Sequence, residues 1–488
     1  MSETNTKPKG KKYIVMDIVF YGSSLNYDQG AGNYQELKKI TKWDGKQYSF
    51  VSRYALRYSI LKTGEDLGFW RNAPGDALFR AGEGDKTVIQ PSPDALLSGE
   101  ILIYPEFDLF GYLITSTSPQ NNKEAPVKIS HAISMTPFNY DSHFGGNLWL
   151  AKRMVEAGKV DKMDPNLFTV EEHQTYYIYT VIIDVDRIGK TEVFLAKKGD
   201  SFLGMENQER EEAKEEESPQ EEGKKKKKSK EKIIGEIKIE NNKIFIKIEG
   251  KNKGDGEKSS LQKEIPLAKY QDNKYVNATV RDIDKDSEIF CVSYWIDNNE
   301  IKNRIKNLIK SILYLNRTIK GRNEVLHPKL LILGIYNDAP YQSFKDRITL
   351  VNEYEEVYEE TTEINESNQA KETKNTMACS IGENSEKKET RNTENPSSDN
   401  SENTDETPEN PPEKTASSNM VKIIRRVVKL QKPIFKIFGP LLSDSKLELI
   451  DVSKITELVD SVLFSDKNSS QIHVFHAPEI KEIVETSK

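Results

Sequence analysis

Two long, highly charged segments constrain the fold of this 488-residue chain more than any other feature. Residues 203–232 carry an acidic block and then a lysine run, and residues 351–420 are rich in Glu, Asn, Thr, Ser and Pro. Neither segment has enough apolar side chains to offset the conformational entropy lost on ordering. The sequence therefore predicts two disordered charged insertions, with the core built from the residues around them.

These insertions divide the chain into five parts. Residues 11–202 and 233–350 are predicted to form the two main parts of one core, and residues 421–488 its C-terminal part. Hydrophobic residues make up only 36% of the chain, below the roughly 45–50% apolar usage of ordinary globular domains. That shortfall agrees with long solvated segments rather than with an additional core.

The net charge of −7 is unevenly distributed. Residues 351–420 contain 18 acidic and 6 basic residues, a net charge of −12, so the rest of the chain carries +5. A mildly basic folded part is compatible with a nucleic-acid partner. Cys291 and Cys379 are far apart in sequence, and no run approaches the roughly 20 apolar residues of a membrane helix. We therefore expect a cytoplasmic protein with neither a disulfide framework nor a membrane span.

The folded parts show a mixed pattern of strands and helices. Residues 13–20 and 328–336 are apolar runs typical of buried strands, and residues 176–185 are β-branched and aromatic. Residues 233–249 alternate about an Asn-Asn pair, which predicts a hairpin. Apolar residues within 300–320 follow a helical stripe. Strand–helix pairs near both ends of the folded part predict an α+β, ferredoxin-like (RRM-type) core with large insertions.

The loop after the first strand is the first candidate binding element. It contains small residues, which let a backbone approach a phosphate, and Asn or Ser side chains, which donate to one. A dinucleotide-binding loop would have a third glycine where this chain has Gln35. An ordinary polar loop is the alternative. The candidate RNA-binding residues here are Ser24, Asn26, Gly30, Gly32, Asn33, Lys38 and Lys39.

Two basic pairs extend this candidate site. Ser52 is a predicted N-cap, so Arg53 and Arg57 lie one helical turn apart and present two guanidinium groups on one face. Lys320 and Arg322 flank a glycine after the second helix and are predicted to make another backbone contact. A solvated helix face is the alternative for the first pair.

Several stretches resemble the backbone subunit of type I CRISPR Cascade complexes, a RAMP-superfamily protein. The most similar branch is the DevR autoregulator family of type I-B systems. The N-terminal motif is the specific part of this resemblance. The matching stretches are residues 24–26, 30–33, 38–40, 48–57, 132–138, 183–189 and 319–328.

The resemblance implies an RRM-type palm with inserted fingers and a thumb hairpin. Copies of the chain would oligomerise along a guide RNA (crRNA) and present it for pairing with target DNA in antiviral defence. Other implied partners are the large subunit, the RAMP cap subunit and the processing endonuclease. Met135 and Phe138 become candidates for an apolar thumb tip that wedges between bases. The alternative is that both are core residues.

No catalytic motif stands out. The sequence has no Walker loop, no HExxH and no nucleophile elbow, and His131 and His143 lack partners at zinc spacing. Asp28, Asp184 and Asp186 are at turn positions. We therefore predict a binding protein without enzymatic activity, cofactor or metal. Two alternatives stay open, a RAMP-superfamily RNA endonuclease and a CRISPR-linked transcriptional autoregulator.

Overall fold

The computed structural model of this chain describes most of the residues outside the predicted insertions. They are residues 10–30, 32–82, 84, 87–115, 117, 119–196, 232–251, 258–282, 289–319, 321–337, 340–351, 354–364, 375–378, 420–430, 434–438, 447–464, 470–480 and 482–486. The chain divides into two compact units. The first is Met1–Thr349 with Ile437–Pro478 and Glu485–Lys488, and the second is Leu350–Lys436 with Glu479–Val484.

A nine-stranded sheet forms the centre of the first unit as far as it is described. Its strands are β1 (Tyr13–Ser23), β2 (Lys39–Thr41), β3 (Gln47–Val51), β4 (Val127–Ile129), β5 (Ala132–Ser134), β6 (Gln174–Asp184), β7 (Pro328–Tyr336), β8 (Leu447–Leu449) and β9 (Gln471–His476). The strand order is β2-β3-β5-β6-β1-β7-β9-β8, and β4 also pairs with β6.

The central strand β1 is antiparallel to both of its neighbours. It pairs with β6 from Tyr13 opposite Asp184 to Ser23 opposite Gln174. It pairs with β7 over most of its length, with a bulge between Val19 and Phe20. Residues 14–20 are all buried, which explains why this strand is a continuous apolar run rather than an alternating one. The strands predicted at 13–20, 176–185 and 328–336 are confirmed.

The first unit also contains helices. In the described residues they are α1 (Arg53–Asp66), α2 (Pro93–Leu97), α3 (Pro105–Asp108), α4 (Leu148–Glu156), α5 (Asn298–Leu313) and α6 (Val452–Leu463). Ser52 is the N-cap of α1, because its Oγ accepts the N–H of Ala55 at 3.2 Å. The predicted helices after Ser52 and within 300–320 are confirmed, as is the mixed α+β class. None of the helices in the described ranges is long and apolar enough to cross a membrane.

The described residues also form smaller sheets. They comprise Ser142–Gly146, Leu167–Glu171 and Tyr34–Gln35; Lys190–Ala196, Ile289–Trp295 and Asn277–Asp282; Lys232–Glu240, Lys243–Lys251 and Lys258–Pro266; Leu78–Ala81 and Val88–Pro91; Tyr112–Ile114 and Asn121–Lys123; Lys269–Gln271 and Lys274–Tyr275; Asn316–Ile319 and Arg322–Val325; Ile348–Leu350, Ile434–Phe438 and Glu482–Thr486. The predicted hairpin turns at Asn241 and Asn242, whose φ angles are +51° and +58°. Both angles suit the two-residue turns of hairpins.

The ends of the second predicted insertion are ordered strands. Tyr354–Ile364 pairs with Met420–Leu430 over its full length. Asn375–Ala378 pairs with part of Tyr354–Ile364. The prediction of disorder from residue 351 to 420 is therefore wrong at these positions. Of the first predicted insertion, residues 203–232, all but Lys232 lie outside the described residues.

A buried ionic group joins three elements of the first unit. Asp108 is fully buried and forms ion pairs with Lys123 and Arg304, which are almost fully buried. The backbone N–H of Gly189 donates to both carboxylate oxygens, at 2.9 and 3.1 Å. Burial acts to raise the pKa of Asp108, but the two cations hold it below its ordinary value. The group fixes α3 and α5 beside the 121–123 strand.

Candidate nucleic-acid interface

The loop between β1 and β2, residues 24–38, is held against the start of α1. Its two arms meet where the N–H of Lys38 donates to the carbonyl of Asn26 at 2.8 Å. The side-chain oxygen of Asn26 accepts the backbone N–H of Ser52 at 2.6 Å. Since Ser52 is the N-cap of α1, Asn26 fixes the loop beside the first turn of that helix.

Two glycines shape the exposed turn of this loop. A Cβ on Gly30 would lie 2.1 Å from the carbonyl oxygen of Tyr34, so only glycine lets the backbone pass there. Gly32 has a φ of +62°, and a Cβ there would meet nothing. Both residues and Asn33 are exposed. Their conformations are explained by the turn itself, and contact with a phosphate stays a prediction.

A buried arginine supports the loop by hydrogen bonds. Arg317 is 4% exposed. Its guanidinium donates to the carbonyl of Leu25 at 2.7 and 3.2 Å and to Oγ of Ser59 at 3.3 Å. Leu25 has a φ of +40°, a conformation that few non-glycine residues adopt. Arg317 therefore holds a strained loop residue against α1, a role that the sequence pattern did not indicate.

Two of the candidate contacts in the loop are buried. Ser24 has no exposed surface, and Asn26 is 8% exposed. These buried side chains cannot meet an external strand in this conformation, and Asn26 instead supports the loop by accepting the N–H of Ser52. The reason is that residues 22–26 continue the buried end of β1 instead of leaving the sheet at once.

The two loop lysines are paired with carboxylates. Nζ of Lys38 lies 3.1 Å from Asp28. Nζ of Lys39 lies 2.6 Å from Glu171 and over the ring of Phe138 at 4.6 Å, and its side chain is 10% exposed. Burial acts to raise the pKa of Glu171, but hydrogen bonds, foremost from Lys39, hold it below its usual range. The charge of Lys39 is thus already paired inside the protein, and its contact with a phosphate stays a prediction.

The two arginines of α1 have different environments. Arg53 is exposed, and its guanidinium donates to the hydroxyl of Tyr54 at 2.9 Å. Arg57 is half-buried, donates to the carbonyl of Glu106 at 3.2 Å and lies over Phe110. Burial lowers the pKa of Arg57. Arg53 is therefore open to a phosphate, whereas Arg57 is used within the fold and does not form a shared grip with it.

Two exposed tyrosines beside Arg53 complete the open face of α1. Tyr54 is 65% exposed and Tyr58 is 63% exposed. They are four residues apart and so lie on one face of the helix. The apolar stripe of Leu56 and Ile60 turns this pair away from the core, and that stripe was the sequence signal that could have identified them. Sequence reasoning considered only the arginines.

Met135 and Phe138 are half-buried just after β5, an internal strand of the sheet, and do not form a projecting tip. The N–H of Met135 donates to the carbonyl of Tyr176, and the N–H of Phe138 donates to that of Gln47. The ring of Phe138 packs edge-on against His173. The alternative that both residues belong to the packed structure agrees with these contacts, and the thumb-tip assignment does not.

The last candidates lie on the hairpin formed by Asn316–Ile319 and Arg322–Val325. Arg322 forms ion pairs with Glu172 and Glu324, and its side chain is 40% exposed. Its charge is thus largely balanced by neighbouring carboxylates, so a phosphate contact would have to compete with them. Lys320 lies outside the described residues.

The possible catalytic groups also have structural partners. Asp28 pairs with Lys38, and its hydrogen bonds lower its pKa. The side chain of Asp186 accepts the N–H of Lys12 at 2.9 Å. Nδ1 of His131 accepts the N–H of Arg53 at 3.0 Å, so the neutral ring carries its proton on Nε2. Among the described residues, no cluster of three or more His, Cys, Asp or Glu is arranged to hold a metal ion.

A family model matches most of this chain. The model of the family described as CRISPR-associated negative auto-regulator DevR/Csa2 matches residues 14–359. No curated protein matches the chain. A solved CRISPR RNA-guided surveillance complex, pre-nicking, contains a chain of 9% identity and TM-score 0.33, with 68% of this chain and 80% of that chain covered.

Two further solved structures have lower TM-scores. A chain of a CRISPR RNA-guided surveillance complex has 10% identity and TM-score 0.30 over 69% of this chain and 73% of that one. A chain of a type IV-B CRISPR complex has 13% identity and TM-score 0.20 over 35% and 71%. Likeness at these scores carries no argument about function, and the family match carries the assignment. The chain belongs to the CRISPR-associated DevR/Csa2 family.

Proposed function

We propose that this chain binds the guide RNA of a type I CRISPR interference complex through the 24–38 loop and the first turns of α1. One observation carries the proposal. The hydrogen bond from Ser52 to Asn26 holds the loop at Asn26 beside the first turn of α1, where Arg53 is exposed, and Gly30, Gly32 and Asn33 of the same loop are also exposed. Exposed backbone amides and a guanidinium suit phosphate, and exposed tyrosine rings suit bases.

We further propose that the core is a ferredoxin-like palm. Four strands of the central sheet lie side by side in the order β7-β1-β6-β5. The first of them in the chain, β1, is next to the last, β7, and the pair of β6 and β5 lies on the other side of β1. Helix α1 follows β1, and α5 precedes β7. A β-α-β-β-α-β chain with the strand order 4-1-3-2 has this arrangement. In this proposal the remaining sheets are insertions into the palm.

The proposal includes self-assembly through the 140–167 segment. No residue of α4 is buried, and its large apolar side chains are exposed, with Trp149 at 69% and Leu148 at 55%. Phe144 on the neighbouring strand is 70% exposed. Contiguous apolar surface of this kind marks an interaction site. A second copy of the chain would cover it and extend the row of subunits along the RNA, together with the other subunits of the complex.

We propose binding without cleavage as the role of this chain in the cytoplasm. The loop carboxylate of Asp28 is paired with Lys38, which leaves it poorly suited to hold a metal ion for hydrolysis. A second candidate function is transcriptional regulation, which the family description as a negative auto-regulator favours. Tight binding to one duplex in the absence of RNA would support that candidate instead.

Purified protein tests these proposals directly. The guide-binding function predicts co-purified RNA of uniform length, and an affinity that falls steeply with salt because counterions are released from phosphates. Trp149→Glu should reduce oligomer size in light scattering and leave the affinity of the monomer for a short RNA unchanged. Protein that is free of nucleotides and indifferent to added oligonucleotides would contradict the proposed function.

A further inference from the structure

The turn that joins β2 to β3 presents a fully exposed tryptophan. Trp43 is 97% exposed. The backbone of the turn is closed on both sides of it, because the N–H of Lys42 donates to the carbonyl of Lys46 at 3.1 Å and the N–H of Gly45 donates to that of Lys42 at 3.0 Å. Gly45 has a φ of +74°, which suits this tight turn. The strand β2 is the outermost strand on its side of the central sheet, so the turn lies at the margin of the sheet.

The other side chains of this turn are held by contacts within the hairpin. Oδ1 of Asp44 accepts the N–H of Lys46 at 3.1 Å, and Oδ2 accepts the hydroxyl of Tyr48 at 2.6 Å. Nζ of Lys42 lies over the ring of Tyr48 at 3.8 Å. The turn is therefore an ordered support for an indole ring that this chain does not cover. Tryptophan is one of the residues that contribute most when they become buried in a protein interface.

A groove elsewhere on the same compact unit is suited to receive such a ring. It has a volume of about 610 Å³ and lies between α1 and residues 314–327, within the roughly 300–1,000 Å³ of typical binding pockets. Tyr58, Leu67 and Tyr314 line it and are 63%, 44% and 41% exposed. Accessible aromatic and aliphatic walls of this kind suit a flat apolar ring.

The charges at the two surfaces are opposite. Residues 42–46 contain two lysines and one aspartate, a net charge of +1. At the groove, Nζ of Lys62 lies 2.7 Å from Asp66 and 3.3 Å from Glu65, so one ammonium faces two carboxylates and the three groups together carry −1. Opposite charges around two matching surfaces favour their association. The surplus negative charge beside the groove also disfavours a polyanion as its occupant.

The turn and the groove are different surfaces, so one copy can offer its turn while its own groove receives the turn of another copy. Such a head-to-tail contact leaves one turn free at one end and one groove free at the other. Further copies can then add in a row. The α4 surface by itself does not supply this pair of complementary ends.

We propose that Trp43 of one copy of this chain lies in the groove between α1 and residues 314–327 of the next copy. The inference rests on the proposed function and names a second contact between copies, separate from the α4 surface. The indole ring packs against the walls of the groove, and the lysines of the turn lie near Glu65 and Asp66.

Sedimentation velocity of the full-length protein over a range of concentrations, with and without a long single-stranded RNA, tests this contact. Trp43→Ala should raise the protein concentration needed for association by roughly 30-fold or more, as loss of one interface hot spot does. Leu67→Glu, which adds a charge to the groove, should also weaken association, and the double variant should be little worse than either single variant because both remove the same contact.

Ile89→Ala is the matched control. Ile89 is an apolar residue that is 61% exposed, on the hairpin of Leu78–Ala81 and Val88–Pro91. Its removal should leave association unchanged. Thermal melting of each variant excludes unfolding as the cause of an effect, and the exposure of Trp43 makes unfolding by Trp43→Ala unexpected.

Crosslinking identifies the two surfaces directly. A variant that combines Trp43→Cys and Leu67→Cys should give a ladder of covalent oligomers with a short bismaleimide, because each copy is joined to a neighbour at both ends. The two single-cysteine variants should give no ladder beyond that of the wild type, which carries the native cysteines. A ladder that extends past the dimer distinguishes a head-to-tail row from a closed pair.

The remaining outcomes separate this proposal from the proposed function. If Trp43→Ala associates like the wild type and the double-cysteine variant gives no ladder, the contact is overturned, and continued RNA binding leaves the proposed function standing. Weaker binding of a short RNA by Trp43→Ala at unchanged association would overturn it in favour of nucleic acid at the turn. Loss of a different co-purifying protein at unchanged association would overturn it in favour of another partner. Wild-type protein that neither associates nor binds RNA would overturn both.

Discussion

Arg317 offers the sharpest test of how the loop is supported. Its guanidinium is nearly buried and donates to the carbonyl of Leu25 and to Oγ of Ser59. Arg317→Met keeps most of the volume but leaves the Leu25 carbonyl without these donors. Lost hydrogen bonds to a charged donor destabilise by about 1.5–3 kcal/mol, and relief of the buried charge offsets part of that.

We therefore expect the free energy of unfolding to fall by roughly 2 kcal/mol, which lowers the urea midpoint by roughly 1 M. RNA affinity should fall as well, because the loop loses its position against α1. The slope of log affinity against log salt should not change, since a buried arginine neutralises no phosphate.

Urea unfolding and salt-dependent anisotropy measure both effects. Arg281→Met is the matched control, because Arg281 is an exposed arginine paired with Glu192 on a different sheet. Loss of such a surface pair changes stability by at most about 1 kcal/mol. Equal midpoints for the two variants, or a smaller salt slope for Arg317→Met, would refute the support role.

Three further predictions follow from the same contacts. Arg53→Ala should weaken RNA binding nearly equally for all guide sequences and reduce the salt slope by about one, whereas Arg57→Ala should leave the slope unchanged; equal slopes for both variants would contradict their different environments. Burial raises the pKa of Asp17, although hydrogen bonds from Phe344, Thr180 and Ser343 act to lower it. Its contribution to stability is therefore present below the unfolded pKa and lost as the pH rises through the folded pKa. The free energy of unfolding of Asp17→Asn, measured in urea, should rise relative to that of the wild type over this pH window, and a difference that does not change with pH would argue against this. Deletion of residues 379–419 should preserve the circular-dichroism spectrum and RNA binding, because the described strands lie outside it; insoluble protein would count against this.

The main elements were accessible from local patterns. Apolar runs predicted the strands β1, β6 and β7, and a helical stripe predicted α5. Each of these signals repeats within one element. Ser52 marked the start of α1 for the same reason. The family resemblance at residues 24–57 and 132–138 correctly indicated a CRISPR-associated protein.

The candidate site shows the limit of such patterns. Lys39 and Arg53 are alike in sequence as cations near a glycine-bearing loop. In the fold, Lys39 meets Glu171 at 2.6 Å, while Arg53 stays exposed. The partner of Lys39 is contributed by a strand more than a hundred residues away, and no local signal reports such pairing. The strand at Tyr354–Ile364 was missed for a similar reason, because its partner Met420–Leu430 lies beyond the acidic tract.

The sequence by itself determined the strand and helix types, the start of α1 and the family. Those properties depend on short-range periodicity, capping and motif spacing, which the chain carries wherever it folds. Only the tertiary structure decided which charges stay free, that Arg317 and Asn26 support the loop, and that Tyr58, Leu67 and Tyr314 share one groove. Burial and ion pairing depend on contacts between distant segments, so they exist only once the sheet has brought those segments together.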